Sequence, residues 1–183
     1  MTERNRVCPV ELAGSLDSKI RRYIQNPEKL LKSYVKKDIT AMDIGCGPGF
    51  FTLPIANLVG EKGRVIAADL QEGMLEKLHQ KIKGTEFEER IRLHKCEQDK
   101  IGIAEKVDFI LAFYMVHEIP NQDNFFQELK SLLKENGLIF IVEPKLFHVS
   151  KKAFGNMLKK AESAGLKPVE YPHLAFSWAV ILN

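Results

Sequence analysis

A regular alternation of short apolar segments with amphipathic ones constrains the fold more than any other feature of this chain. Segments apolar enough to be buried strands run over 39–44, 63–70, 91–96, 106–114 and 136–144. Helical patterns run over 50–59, 72–82, 121–134 and 150–165. Strands that alternate with helices and are apolar on both faces are typical of a parallel sheet covered on both sides. The sequence therefore predicts a doubly wound α/β fold, with its ligand at the carboxyl ends of the strands.

The chain before the first strand carries a helical pattern of its own. Apolar residues recur at helical spacing over 17–37. Asn26 and Pro27 divide this stretch, because the residue before a proline resists the helical conformation. We therefore expect two short helices, with Pro27 in the first turn of the second. Residues 1–37 form an N-terminal helical segment, expected to be a lid on the substrate side, and residues 38–183 form the main domain.

The ends of the later elements are also marked in the sequence. Asn121 and Ser150 are predicted to cap the starts of their helices, and Gly165 is predicted to end the second of these helices. Two further β segments are expected at 167–172 and 176–182.

Composition narrows the class of protein. The chain has 183 residues, 27 basic against 24 acidic side chains, and a formal charge of +3. This small excess, without a clustered basic face, argues against a nucleic-acid partner. No segment approaches the roughly 18–20 apolar residues that cross a bilayer, so no membrane partner is expected. Three cysteines without a CxxC pair suit a reducing compartment, and we expect a cytoplasmic protein. Oligomeric state is left open.

The loop after the first strand is the strongest functional signal. Gly45, Gly47 and Gly49 form G-x-G-x-G, whose backbone a ligand can approach closely because glycine has no β-carbon. Asp69 closes the second strand, where a carboxylate can accept hydrogen bonds from the hydroxyls of a ribose. An adenosine-containing ligand is therefore predicted. A nicotinamide-dependent oxidoreductase is one alternative, but Phe50 stands where the third glycine of a dinucleotide motif belongs.

Four segments together resemble one family. "AMDIGCGPGFFTLPIA", "VIAADLQEGML", "VDFILAFYMVHEI" and "LLKENGLIFIVEP" are similar, in order, to motifs of class I S-adenosylmethionine-dependent methyltransferases, especially those acting on small molecules. The resemblance implies a Rossmann-like, mostly parallel seven-stranded sheet with helices on both faces and an antiparallel last strand. It also implies S-adenosylmethionine as cofactor, methyltransferase activity (EC 2.1.1) and a small-molecule acceptor.

The resemblance also implies roles for the residues around the loop. The backbone of Gly45, Cys46 and Gly47 would contact the methionine moiety and the ribose. Asp43 would help to hold the ammonium group of the cofactor, and Asp69 would bind the ribose hydroxyls.

Further along the chain, the resemblance assigns the adenine contacts. Leu70 and Met74 would lie against the adenine face. Glu97 would accept from the adenine amino group and the backbone of Gln98 would donate to the ring, with Asp99 competing for the role of Glu97.

The segment after the fourth strand supplies the candidates for chemistry. By resemblance, Ala112 and Phe113 would offer backbone groups to the amino-acid end of the cofactor. His117 is the leading candidate for a base that removes a proton from the acceptor, and Tyr114 is a second one. Structural packing is the simpler role for both, and a non-catalytic protein that binds S-adenosylmethionine is a further alternative.

No metal site is expected from the sequence. The histidines do not occur at metal-ligand spacing. A metalloid acceptor such as arsenite would need two or three thiolates brought together from Cys8, Cys46 and Cys96.

Overall fold

The computed structural model describes residues 26–145 and 148–183, and these residues form a seven-stranded sheet. The strands are β1 (Thr40–Ile44), β2 (Arg64–Asp69), β3 (Ile91–Lys95), β4 (Val107–Phe113), β5 (Leu133–Pro144), β6 (Pro168–Glu170) and β7 (Ser177–Leu182). Their order across the sheet is β3-β2-β1-β4-β5-β7-β6. Strands β1 to β5 pair in parallel, whereas β7 runs antiparallel to both β5 and β6. The predicted doubly wound, mostly parallel seven-stranded sheet with an antiparallel last strand is confirmed.

The order of the strands fixes where a ligand can bind. The chain moves from β1 outward to β2 and β3, then crosses back to place β4 on the other side of β1. The loops that follow β1 and β4 therefore diverge, which leaves a crevice at the carboxyl edge of the sheet. The glycine loop follows β1 directly and so lies at this crevice.

Helices cover both faces of the sheet, as predicted. The helices are α1 (Pro27–Leu31), α2 (Thr52–Val59), α3 (Glu72–Ile82), α4 (Gln122–Leu132) and α5 (Lys151–Ser163). Helices α1 to α3 bury side chains such as Leu31, Ile55 and Leu78 against one face. Helices α4 and α5 bury Phe126 and Met157 against the other. Alternate residues of each central strand point into these two cores, which explains why the strands are apolar throughout.

The predicted helix caps are present. The side chains of Asn121 and Ser150 accept hydrogen bonds from the amides of Asn124 and Ala153, each at 3.1 Å. Pro27 occupies the first turn of α1, as predicted. The first of the two predicted N-terminal helices lies outside the described residues.

Helix α1 is shorter than the pattern over 27–37 suggests. It ends at Leu31, although the amides of Tyr34 and Val35 still bond to the Leu31 carbonyl, both at 2.9 Å. Val35 is buried in the same core as Leu31. The helical spacing therefore identified the buried residues correctly and overestimated the length of the helix.

The crossing from β3 to β4 is made without a helix. Residues 96–106, which lie wholly in the described part of the chain, form a turn and an extended loop. Ile101 anchors this loop in the core beside α4, and its amide donates to the Glu128 carboxylate at 2.8 Å. The His94 ring nitrogen Nε2 lies 2.6 Å from the Ile101 carbonyl and donates to it.

The two-sided core predicts a clear contrast between two phenylalanines. Phe126 is fully buried under the sheet, whereas Phe176 is 64% exposed. Phe126→Ala should lower the free energy of unfolding by about 3–5 kcal/mol, because it removes buried apolar surface and leaves a cavity. Phe176→Ala should change it by less than about 0.5 kcal/mol. Urea unfolding of the two variants measures both values, and similar losses would contradict this assignment of the core.

Candidate functional site

The glycine loop is folded against the end of β2. The amides of Gly45 and Cys46 both donate to the Ala68 carbonyl, at 2.8 and 3.1 Å. Gly45, Gly47 and Gly49 all adopt left-handed backbone angles, with φ of 71°, 53° and 89°. Only glycine adopts these angles readily, so three alternating glycines are what this turn requires.

The three glycines have different surroundings. A β-carbon at Gly49 would lie 2.5 Å from Cδ1 of Leu78, and one at Gly45 would lie 2.9 Å from Cγ of Met115. Packing therefore demands glycine at both positions. At Gly47 no described atom lies within 4 Å of the corresponding point. The open side of the loop is therefore at Gly47.

Asp69 lies directly beside this opening. One carboxylate oxygen accepts from the Gly47 amide and the other from the Gln71 amide, each at 2.8 Å. Burial raises the pKa of Asp69, and the hydrogen bonds from the amides of Gln71, Gly47 and Leu70 oppose this rise. Each oxygen keeps a second lone pair that can accept from a hydroxyl group.

The two residues predicted to lie against the adenine face differ in their exposure. Leu70 is 38% exposed, unusual for a leucine beside a buried acid, and offers an apolar surface at the same edge. Met74 is buried on the inner face of α3. The Cys96 amide donates to the Asp69 carbonyl at 2.9 Å, which brings the loop after β3 next to this edge.

A tight turn follows Cys96. The amide of Glu97 donates to the Lys100 carbonyl at 2.9 Å, which places Gln98 and Asp99 at the exposed tip of the turn. The side chain of Asn124 donates to the Asp99 carbonyl at 3.0 Å and holds the turn against α4. Glu97 and Asp99 thus both remain candidates for the adenine contact.

Asp43 has a structural partner that the sequence did not reveal. Its buried carboxylate accepts a hydrogen bond from the Thr52 hydroxyl at 2.6 Å. This bond links the end of β1 to the first residue of α2 and so fixes both ends of the glycine loop. The only sequence signal for Thr52 is that it is polar within an otherwise apolar stretch.

Aromatic rings line up at the end of β4. The ring centroid of Phe113 lies 4.2 Å from that of Phe51 and 4.3 Å from that of Tyr114. Tyr114 has φ of 60°, a strained angle for a non-glycine residue, and its hydroxyl lies 2.5 Å from that of Ser177. Such strain is concentrated at functional sites, where the surrounding structure holds it in place.

His117 is held by a fully buried acid. It lies in a short 3₁₀ turn (Val116–Glu118) after β4, and its Nδ1 is 2.5 Å from Oε2 of Glu143. The other carboxylate oxygen of Glu143 accepts from the Val116 amide at 2.9 Å. Sequence reasoning missed Glu143. Its signal was a lone acid at the end of the apolar run "LIFIVEP".

The charges around His117 shift its titration and that of its neighbour. Burial lowers the pKa of His117, but the hydrogen bond and charge of Glu143, together with the charge of Glu118, outweigh burial and raise it overall. Burial raises the pKa of Glu118 to about 7 against the opposing charge of His117, and the charges of Glu143 and Asp69 add to the rise. The ring of His148 lies 5.9 Å from that of His117.

The two cysteines in the described residues are protonated thiols. Burial, followed by the charges of Asp43 and Asp69, raises the pKa of Cys46 well above its usual value. Burial raises the pKa of Cys96 to about 12. A raised pKa lowers the fraction of thiolate at neutral pH and so reduces the reactivity of both side chains as nucleophiles.

Other features of the described residues add no second site. A shallow cavity of about 340 Å³ lies where β2 and β3 begin, at the edge opposite the glycine loop. Of the three arginines that line it, Arg90 and Arg92 are paired with Glu86 and Glu105. Within residues 26–145 and 148–183, no three His, Cys, Asp or Glu side chains are grouped to hold a metal ion, and no helix is long and apolar enough to span a membrane.

Sequence comparison decides the family. A family described as methyltransferase domain matches residues 35–172. The chain belongs to this family. The resemblance to class I methyltransferases is therefore confirmed, and the glycine loop and Asp69 lie within the matched residues.

Individual relatives agree with this methyltransferase family. A demethylmenaquinone methyltransferase from Lactobacillus johnsonii is 28% identical over 113 residues, 61% of this chain and 46% of that protein. The chain thus spans about half the length of the curated relatives it matches. A crystal structure of an S-adenosylmethionine-dependent methyltransferase from Aquifex aeolicus superimposes with a TM-score of 0.85 at 27% identity, covering 96% of this chain and 98% of that one. Fibrillarin from Aeropyrum pernix, with natively bound S-adenosyl-L-methionine, shares the fold, with a TM-score of 0.69, 13% identity, and coverage of 87% and 74%.

The raised pKa of Glu118 predicts a specific dependence of stability on pH. The unfolded chain releases this proton near the ordinary value of 4.5 and the folded chain near 7. Between these values the folded state holds the extra proton, so its contribution to the free energy of unfolding falls as pH rises. Glu118→Gln should therefore gain stability relative to the native chain between about pH 4.5 and 7. Urea unfolding across this range measures the difference, and a constant difference would contradict the assignment.

Proposed function

We propose that this protein transfers a methyl group from S-adenosylmethionine to a small-molecule acceptor (EC 2.1.1). The observation that carries the proposal is the bond between the Gly47 amide and the Asp69 carboxylate. It places an open glycine turn and a buried acid side by side at the point where the strand order reverses. An adenosine-containing ligand needs close approach to backbone at one end and a hydroxyl acceptor at the other.

The residues at this edge fit S-adenosylmethionine. Asp69 has lone pairs for the ribose hydroxyls, Leu70 offers an exposed apolar surface to the adenine, and Gly47 leaves space for the ligand. Glu97 and the backbone of Gln98 would contact the adenine edge, with Asp99 as an alternative to Glu97. S-adenosylmethionine supplies a methyl group on a sulfonium, whose displacement depends on alignment and exclusion of water.

Other residues of the chain would hold the amino-acid end. The backbone of Gly45, Cys46 and Phe113 lies at the carboxyl ends of β1 and β4, where the loops diverge. Asp43 would act through the loop it fixes to Thr52, or through water. The rings of Phe51, Phe113 and Tyr114 supply an apolar wall that excludes solvent.

Several features favour a small-molecule acceptor. The relatives named demethylmenaquinone methyltransferases match this chain over 46% of their length. The charge of +3 offers little attraction to nucleic acid, so the proposal includes no nucleic-acid partner. A metalloid acceptor is disfavoured because the Cys46 thiol is buried and the described residues hold no group of three potential metal ligands. A cytoplasmic location and the lid role of the N-terminal segment stay predictions.

A calorimetric titration distinguishes this proposal from its first rival. We expect S-adenosylhomocysteine to bind and NAD to bind more weakly or not at all. Binding of NAD alone would favour an oxidoreductase. A labelled-methyl assay over phenols, amines, thiols and arsenite then separates an enzyme from a non-catalytic binding protein.

The substitution Asp69→Asn tests the role of the Asp69 carboxylate. Asp69→Asn keeps the size of the side chain but removes one acceptor oxygen and the charge, so the affinity for S-adenosylhomocysteine should fall roughly 10–100-fold. Asp108→Asn is the matched control, since Asp108 also accepts a backbone amide, from Thr40 at 2.9 Å, but at the opposite edge of the sheet. Calorimetry should show native affinity for the control, and equal losses in both variants would contradict the site.

The open side of Gly47 gives a second test. Gly47→Ala and Gly84→Ala both place a β-carbon where no described atom lies within 4 Å, and both positions have left-handed φ, of 53° and 72°. The backbone penalty, about 1–2 kcal/mol, should therefore be similar in the two variants. Only Gly47→Ala should weaken S-adenosylhomocysteine binding, by about tenfold or more, because its methyl group would enter the ligand site. Equal binding by both variants would show that the ligand does not lie against Gly47.

A further inference from the structure

The pair formed by His117 and Glu143 joins a partly exposed imidazole to a buried carboxylate. Glu143 has no exposed surface and comes at the end of an otherwise apolar strand, β5. A carboxylate in such a place is costly unless its oxygens are satisfied. One oxygen takes the Val116 amide at 2.9 Å, and the other takes Nδ1 of His117 at 2.5 Å. Glu143 therefore fixes both the backbone of the turn and the ring that the turn carries.

This arrangement sets the tautomer of the histidine. A carboxylate can only accept a hydrogen bond, so Nδ1 of the neutral ring must carry the hydrogen. The lone pair of the ring is then on Nε2. The side chain of His117 is 24% exposed, whereas that of Glu143 is 1% exposed. The part of the pair that reaches solvent is therefore the histidine, at the edge that also carries the glycine loop and Asp69.

We propose that His117 is the base that removes a proton from the methyl acceptor, and that Glu143 is its positioning residue. The proposal rests on the methyltransferase function proposed above. It names the class of acceptor, because a base is useful only where the reacting atom loses a proton. Phenols, hydroquinones and ammonium groups meet this condition, whereas thioethers already present a free lone pair.

The proton balance of the step is simple. The oxygen or nitrogen of the acceptor forms a bond to the methyl carbon, and the departing sulfur keeps the electron pair of the broken carbon–sulfur bond. The acceptor proton moves to Nε2 of His117, and the carboxylate of Glu143 stabilises the resulting imidazolium. The proton then passes to water, which restores the neutral ring.

The groups that face His117 agree with this role. Glu143 on β5 and Glu118 on the same turn both favour the charged ring, and His148 faces it from the segment after β5. Asp69 on β2 acts on Glu118. An imidazole base also matches phenolic protons, with a pKa of about 10, far better than the protons of aliphatic alcohols, which are much less acidic.

The first test needs no acceptor. Nitrogen-15 NMR of the imidazole, in the protein without ligand, should show Nδ1 protonated and Nε2 unprotonated in the neutral ring. Glu143→Gln should lower the pKa of His117 and mix the tautomers, since burial is then opposed only by the charge of Glu118. Glu170→Gln is the matched control, because Glu170 accepts the Tyr34 hydroxyl at 2.9 Å on the distant strand β6. An unchanged His117 titration in Glu143→Gln would overturn the pairing.

The second test measures methyl transfer to naphthalene-1,4-diol and benzylamine, with dimethyl sulfide as the aprotic probe. His117→Gln should lower kcat for a protic probe by about 10²–10⁴-fold, with S-adenosylhomocysteine affinity unchanged within about twofold. Glu143→Gln should shift the rise of kcat with pH to lower pH, which a merely structural role would not do. Transfer to dimethyl sulfide alone, or equal kcat in native and His117→Gln protein, would overturn the proposal. If the native protein does not bind S-adenosylhomocysteine, the proposed cofactor is rejected. The NMR measurement would still decide whether Glu143 fixes the tautomer of His117.

Discussion

The hydrogen bond from the Gly47 amide to the Asp69 carboxylate is the interaction on which the rest of the carboxyl edge depends. It joins two loops that follow neighbouring strands, and the Gln71 amide on the second carboxylate oxygen fixes the direction of the acid. Without it, the open glycine turn and the acid would be two unrelated features. With it, the two features are held side by side before any ligand binds, and such preorganisation would reduce the entropic cost of binding at the proposed site.

A second carboxylate organises the other half of the same edge. Glu143 on β5 reaches across to the turn after β4, just as Asp69 on β2 reaches back to the loop after β1. In both cases a buried acid takes a backbone amide with one oxygen. Such acids must be satisfied where they lie, so they act as fixed points in loops that would otherwise be free to vary.

The sequence was informative wherever one residue's chemistry is enough to identify a position. Left-handed turns need glycine, which revealed Gly45, Gly47 and Gly49. The strand patterns and the caps at Asn121 and Ser150 are local in the same sense. Thr52 and Glu143 escaped prediction because their meaning comes from partners distant in sequence, in the case of Glu143 from the turn after β4. The end of α1 also escaped, since Val35 is buried whether or not its backbone is helical.

The helix-free connection between β3 and β4 gives this fold an uneven stiffness. Beyond Cys96, whose amide bonds to the Asp69 carbonyl, residues 96–106 are joined to α4 by side chains: Glu128 accepts from the Ile101 amide and Asn124 donates to the Asp99 carbonyl. A few such bonds can break together while the hydrogen-bond ladder of the sheet stays intact. In the proposed cofactor site, the adenine side of the crevice is therefore the part expected to open by local fluctuation, and such opening would set the rate of cofactor exchange.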